Sequence, residues 1–379
     1  MADMQGILNK GVADGDLPFV VAMVANRDGI RFSGAAGEAA SGRPAAEDTI
    51  FRIFSATKAI GSTAAAILVE RGKLNPETPV EDILPEFRGI QVLDGYEGDR
   101  PIFRAPRTKA TIRHLATHTS GIEYEFWNGD VVAYMEKTGH PSLLSGTRAS
   151  LNYPMMSDPG TRWGYGPSID WLGLAVQQVD GRSITRFVEE EILEPLGMRD
   201  THFETPQDKA GRVAAVSIRG PDGQFAPIDV SPPAQPEVYG MGHALYGTAP
   251  DYIRFLRTYL NGGQLDGKRI LSEKTVSWIF EDQMRGLRFR PMISSSPLSA
   301  DFDPFPDIAV GHSFGFLRNE VDVPGRRSAG SQSWAGVLNS HYWLDPRKDV
   351  AAVIFTQSLP FGEARYMKVY EDFEKAAYA

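Results

Sequence analysis

The sequence predicts an α+β fold: an antiparallel β-sheet flanked by the two terminal helices, plus an inserted, mostly helical subdomain. Three observations carry this. Strand-like stretches occur near both ends of the chain, amphipathic helical segments lie at the two extremities, and a long run of helical patches broken by Pro and Gly separates them. The corresponding division is 1–105 with 241–379 as the sheet domain and 106–240 as the helical subdomain, with a cleft between them for a functional site.

Each element has a local reason. Residues 2–14 space their apolar positions as a short helix that ends near Gly15. F-V-V-A-M-V-A and I-R-F-S-G-A-A-G flank Asn26-Arg27-Asp28-Gly29, a turn signal that makes them a hairpin. S-A-T-K-A-I-G-S-T-A-A-A-I-L-V-E-R-G is Ala-rich with apolar residues at helical spacing; it reads as a buried helix that starts at or beside Ser55 and closes at Gly72. Within the insert, D-W-L-G-L-A-V-Q-Q-V and I-T-R-F-V-E-E-E-I-L are the clearest helices. After a further helix near 250–261 the pattern returns to strands. These are G-F-L-R-N-E-V, then W-A-G-V-L-N-S-H-Y-W-L, and then V-A-A-V-I-F-T beyond the turn D-P-R-K-D. A last helix covers about 361–377, and the Pro/Ser/Asp-rich segment 294–307 reads as a surface loop.

Composition narrows the function. A chain of 379 residues exceeds one small domain, and 42% hydrophobic with 23% charged residues is ordinary for a soluble protein. Forty-eight acidic residues against 39 Lys and Arg give a net charge of -9, and no basic run is present to neutralise phosphates, so nucleic acid is not an expected partner. There is no cysteine, which removes disulfides, thiolate catalysis and Cys-based zinc sites. With no basic-then-apolar leader and no apolar run of membrane-spanning length, the expectation is a cytoplasmic protein without a membrane partner.

Two serines compete for the role of nucleophile. G-H-S-F-G at 311–315 fits the pattern G-x-S-x-G, which works when the serine tops a strand-to-helix turn and an acid and a histidine follow. Asp322 and His341 do follow Ser313, but the intervening F-L-R-N-E-V-D-V-P-G alternates like a strand and ends in Pro324-Gly325, where no helix can start. Ser55 has better surroundings. Helical positions three apart share a face, so Lys58 brings its amine to the Ser55 hydroxyl, and the free N–H groups of a helix start face charge developing on a bound carbonyl. A lysine with a pKa of about 10.4 acts as a base only when desolvated or set near another cation, and the Ala-rich helix suits burial. S-x-x-K alone also recurs by chance, so other segments have to decide.

F-x-x-x-S-x-T-K is followed by T-I-R-H-L-A-T-H-T-S-G at 111–121, P-G-T-R-W-G-Y at 159–165, E-P-L-G-M-R-D-T at 194–201 and G-S-Q-S-W-A-G near 330. Together, in this order and over nearly the whole chain, they resemble the class C β-lactamase-like serine hydrolases, most closely the family VIII carboxylesterases. The resemblance implies a β-lactamase/transpeptidase-like fold with no cofactor. It makes Tyr165, at the tyrosine of the Y-x-N motif, the second catalytic group, and it pairs the backbone N–H groups of Ser55 and Val337 as the oxyanion hole. Two departures separate this chain from the β-lactamase pattern: Pro167 stands where the motif has Asn, and Trp334-Ala335-Gly336 replaces K-T-G. Both remove groups that hold a β-lactam, which favours an uncharged ester.

The resemblance therefore implies a serine carboxylesterase acting on a small-molecule, short-chain acyl ester through Ser55, Lys58 and Tyr165. Trp334, Ala335 and Gly336 form one wall of its cleft, and Tyr124 and Trp127 line it from the helical side. The alternatives are a β-lactamase or D-amino-acid peptidase, an acyltransferase, and, with the catalytic residues all present, last a non-catalytic binding protein. His114 and His118, four apart, lack the Glu of H-E-x-x-H and a third ligand, so no metal is expected. G-M-G-H-A-L-Y-G at 240–247 lacks a phosphate-loop lysine and reads as a tight turn at the site's rim. The sequence leaves the oligomeric state open.

Overall fold

The computed structural model describes residues 3–379, so position 2 of the first expected helix lies outside the described residues. Asp3 caps the first helix (α1, Met4–Ala13) by accepting from the Gly6 N–H. The strands Phe19–Ala25 (β1) and Ile30–Ala40 (β2) form the expected hairpin, with Val21 opposite Ala35, and Asn26 Oδ1 accepts from the Asp28 and Gly29 N–H groups in the turn. Arg43–Pro44 (β3) extends the sheet at its edge. The helix Thr57–Glu70 (α2) then runs through the interior, buried at every position from Thr57 to Leu68. Small side chains permit this. A Cβ on Gly61 would collide with Met241, so a larger residue would push away the segment packed against the helix.

The middle of the chain holds helices Ile112–Ala116, Gly129–Thr138 and Ser168–Asp180 (α3), and Ile184–Val188 continues through a π-helical turn to Glu194–Leu196. Strands are present as well. Val216–Arg219 pairs with Phe225–Ile228, and Ser358–Leu359 from near the chain's end adds in parallel. Another hairpin, Val92–Glu97 with Arg100–Arg104, precedes the helical stretch.

Ala249–Leu260 (α4) returns the chain to the sheet. The remaining strands are Val310–His312 (β4), Leu317–Asn319 (β5), Gln332–Gly336 (β6), Ser340–Asp345 (β7) and Val350–Phe355 (β8), before the closing helix Ala364–Ala377 (α5). The sheet order is β4-β5-β6-β7-β8-β1-β2-β3, antiparallel throughout, so strands from both ends of the chain meet at β8 and β1. The α1 and α5 helices cover one face, where Val20, Ala22, Trp343, Ile354, Tyr366 and Phe373 form a core of their own. The other face packs on α2 and α4. Each large side chain buried in these layers contributes roughly 1.5–3 kcal/mol.

Two expectations are corrected in detail, and one element is new. The expected single strand over 334–344 is two strands, β6 and β7, joined by a turn in which Asn339 adopts φ 61°. Asn339 fixes that turn by donating to the Ser358 and Pro360 carbonyls and accepting from the Gly362 N–H; the apolar Val337-Leu338 concealed it in the sequence. A helix at Glu273–Phe280, capped by Ser272, was not anticipated. The 294–307 segment is not merely a surface loop, because it folds Phe302 and Phe305 inward until they are 7% and 4% exposed.

Candidate active site

The Ser55 turn forms where Phe51–Arg52 leaves its pairing with Tyr246–Gly247 and the chain enters a short 3-10 turn, Phe54–Ala56, that feeds α2. Ser55 thus stands just ahead of α2, in a turn whose first N–H groups have no helical partner. The residue before it, Phe54, takes φ 39°, a left-handed value that strains a bulky side chain and recurs where geometry serves function. Lys58, one turn on and 1% exposed, places Nζ 3.0 Å from Ser55 Oγ, 3.2 Å from the Tyr124 hydroxyl and 2.8 Å from the Gly242 carbonyl. These acceptors match the three N–H bonds of an ammonium. A neutral amine could instead accept from either hydroxyl while still donating to Gly242.

Gly242 is held in turn. Its N–H donates to Asp170 Oδ1 of α3 at 2.9 Å, and His243 Nδ1 lies 3.2 Å from the same oxygen. Burial alone would raise the Asp170 pKa. His243, Lys58 and the Gly242 N–H outweigh burial and hold it below the ordinary carboxylate value. A Cβ on Gly240 or Gly242 would run into the Asp170 carboxylate, so both glycines are needed for this close approach. The 240–247 segment, expected at the rim, therefore supplies one of the lysine's contacts. Sequence reasoning missed Asp170 and His243; the signal was the pair of glycines flanking Met241.

Tyr165 arrives from the helical segment. Its hydroxyl accepts from the Trp334 indole N–H at 3.1 Å, and Lys58 Nζ sits over its ring, 4.8 Å from the centroid. The lysine thus faces the Tyr165 ring and gives its hydrogen bond to Tyr124, whose hydroxyl pKa burial pushes well above the ordinary value. The Tyr165 ring also packs edge-on against Tyr124 at 5.1 Å and against His118 at 4.9 Å. Burial, then His312 and Lys58, hold the His118 pKa well down, so this wall adds no charge. Trp334, Ala335 and Gly336 lie on β6. Gly336 is required because a Cβ there would strike the Ile53 carbonyl, which lets the strand run close to the Ser55 turn. Pro167 sits at the N-cap of α3 and makes no side-chain capping bond.

Some of these groups border one cavity, whose empty space, including the open solvent at its mouth, is about 1060 Å³; Lys58 and Gly336 stand behind its lining. Ser55, Tyr124, Tyr165, His243, Trp334, Ala335 and Val337 border it. So do Trp127, Met292, Leu298, Phe302 and Phe305, and the lining is predominantly apolar. The 294–307 segment is therefore part of the cavity wall.

Ser313 lies elsewhere. It is fully buried in the turn between β4 and β5, and its hydroxyl donates to Gln332 Oε1 at 2.6 Å. Asp322 is exposed, and His341 packs among Phe361, Tyr366 and Tyr370. Gly315, the closing glycine of G-H-S-F-G, has φ 95° and leaves no room for a Cβ beside Ser62, so it is a turn glycine. His114 is spent on a capping box, its Nδ1 accepting from the Thr111 N–H. No helix among the described residues is long and apolar enough to cross a membrane.

The family profile described as Beta-lactamase matches residues 4–376. The chain belongs to the beta-lactamase family. Within it, the chain is 28% identical over 352 residues to the acyltransferase calJ of Penicillium decumbens, covering 89% of this chain and 82% of that protein. It is also 28% identical over 330 residues to the lovastatin esterase of Penicillium rubens, covering 82% and 80%. Its structure matches simvastatin synthase from Aspergillus terreus with a TM-score of 0.87 at 26% identity, across 100% of this chain and 99% of that one. EstCE1, described as a hydrolase with promiscuous acyltransferase activity, matches with a TM-score of 0.77 at 21% identity over 99% and 97%, a likeness of fold. The family membership places the chain among serine hydrolases and acyltransferases and supports ester-related chemistry.

Proposed function

We propose that the protein is a serine esterase that forms an acyl-enzyme on Ser55, as the resemblance to family VIII carboxylesterases implies. The observation that carries this reading is the contact of Lys58 Nζ with Ser55 Oγ at 3.0 Å, beside an apolar cavity that Ser55 and Tyr165 border. Ser55 Oγ attacks the ester carbonyl as its proton passes to Lys58, and the developing oxyanion takes up the backbone N–H groups of Ser55 and Val337. Tyr165 delivers a proton to the departing alkoxide, and Lys58, which here faces the Tyr165 ring and not its hydroxyl, turns toward that hydroxyl to restore the proton. Water then enters and attacks the acyl carbon as it loses a proton to the same pair; the C–O bond to Ser55 breaks, the pair returns the proton to Ser55 Oγ, and the acid leaves. Pro167 and Trp334 leave the cleft without the amide and the lysine that suit a β-lactam, so the preferred substrate is an ester that is neutral at its reacting end. We further propose that the site lies in a cleft between a sheet domain, 1–105 with 241–379, and the helical subdomain 106–240.

A second reading, acyl transfer to an alcohol instead of water, is favoured by the similarity to calJ and to simvastatin synthase. It uses the same acyl-enzyme and differs only in the acceptor. The test is turnover of p-nitrophenyl esters of increasing acyl length beside one chromogenic cephalosporin, each with and without an added alcohol. The esterase reading expects ester hydrolysis that Ser55→Ala abolishes, with little cephalosporin turnover. Activity that survives Ser55→Ala would refute it. A new ester as the main product would select transfer.

A further inference from the structure

The cavity does not stop at the serine. Its walls continue past Val337 and Leu338 to α5, where Met367 and Tyr370 stand with Phe305, Arg327 and His341. Arg327 is fully buried there. Its Nε donates to Glu374 Oε1 at 2.7 Å and its Nη2 to the Tyr370 hydroxyl, whereas Nη1 is buried with no acceptor. Glu374 has nothing left to offer, because its other oxygen takes two bonds from Arg326. Asp345, another buried carboxylate on this side, is occupied by the N–H groups of Ser328, Arg347 and Lys348 and by the Tyr378 hydroxyl. His341 Nε2 is likewise buried without a partner; burial, then Arg327, lower its pKa to about 3, so the ring is neutral. Phe305 and Trp343 hold the guanidinium between them, with centroids 4.9 and 5.4 Å away.

An unpaired guanidinium N–H group in an apolar pocket is penalised until an acceptor reaches it, and a carboxylate matches its geometry and charge best. We infer that this end of the cavity binds a carboxylate, and that the substrate is an ester carrying an apolar chain that ends in a free acid. The inference deepens the ester-cleavage reading and rests on it for the substrate. It agrees with the uncharged Trp334 wall, because the cation stands on the α5 side of the sheet, away from the Ser55 turn. Because Arg327 is fully buried, the acid reaches Nη1 only once a neighbouring side chain yields.

Isothermal titration calorimetry of the full chain with octanoate and with octanol, equal in chain length, isolates the contribution of the carboxylate. Octanoate is expected to bind at least about tenfold more tightly, the scale of one charge-assisted contact. That preference should collapse in Arg327→Met. Because Arg327→Met removes a buried ion-pair partner and risks misfolding, Met367→Trp provides a second variant that fills the same end and leaves the Arg327–Glu374 pair intact. Equal affinity for the two ligands in the native sequence overturns the proposal, and so does a preference that survives Met367→Trp or a folded Arg327→Met. Calorimetry reads binding without turnover, so a chain that binds octanoate yet cleaves no ester would sink the esterase reading and leave this site standing.

Discussion

Trp334 is where the β-lactamase motif has its lysine, and in this chain its indole N–H reaches the Tyr165 hydroxyl at 3.1 Å. The change Trp334→Phe keeps an aromatic wall and removes that donor. With both side chains under a tenth exposed, water cannot readily replace the bond. A neutral hydrogen bond contributes about 1 kcal/mol and a charge-assisted one about 1.5–3 kcal/mol. In the proposed mechanism Tyr165 gains negative character while passing its proton, so about 1.5–2.5 kcal/mol is at stake, or roughly 10- to 70-fold in kcat/KM. Part of any measured loss comes from the smaller ring, so the test is a double-mutant cycle with Tyr165→Phe, read as kcat/KM for p-nitrophenyl butyrate with folding checked by circular dichroism. The indole-to-phenol bond should appear as a coupling of at least about 1 kcal/mol, with Trp334→Phe costing little once the hydroxyl is gone. Equal cost with and without the hydroxyl would show that Trp334 acts as a wall alone.

Other consequences are as direct. Ser313→Ala should keep nearly all esterase activity yet lower the melting temperature, because Gln332 loses a buried donor at a cost of about 1 kcal/mol. Gly315→Ala should destabilise more, by about 2 kcal/mol or beyond, since φ is 95° and Ser62 occupies the space of the new methyl; unchanged thermal unfolding would contradict this. Asp251, with its pKa pushed by burial from 3.8 up to about 6, binds a proton more tightly folded than unfolded. Its contribution is therefore complete below pH 3.8 and lost as pH rises through 6, about 3 kcal/mol in all. The melting temperature of Asp251→Asn relative to the native chain should accordingly climb between pH 4 and 6 and level off above, whereas a flat difference would refute it. His312 acts in the opposite direction. Burial lowers its pKa from 6.5 to about 4, so its contribution is present above pH 6.5 and lost as pH falls through 4; chemical denaturation across that window should show the decline.

The sheet's outer elements were legible because their signals are local. Asn26-Arg27-Asp28-Gly29 declares a hairpin, and the apolar spacing of 2–14 and about 361–377 declares two covering helices, which the structure places at Met4–Ala13 and Ala364–Ala377. The break at Asn339 was hidden because the turn rests on one Asn whose side chain is held by the distant Ser358 and Pro360 carbonyls, with apolar Val337-Leu338 before it. The Ser55–Lys58 contact could be read from helical spacing alone. Tyr165 and Trp334 could not, since 107 and 276 positions separate them from Lys58 and only the ordered motifs tied them to it. Tyr124 was anticipated as cavity lining, yet its hydrogen bond to Lys58 spans 66 residues and leaves no pattern in the chain. Asp170 and Arg327 were beyond reach for a related reason: each derives its importance from which buried partner it has, or lacks, across the fold.

The central claim is that Ser55 carries the acyl group. Rapid acid quenching during turnover of a slow p-nitrophenyl ester, followed by intact-mass and peptide analysis, tests it most directly. The expected result is one acyl mass added to the chain and mapped to the peptide containing Ser55, absent in Ser55→Ala. An acyl group on the peptide containing Ser313, or the same adduct in Ser55→Ala, would contradict it.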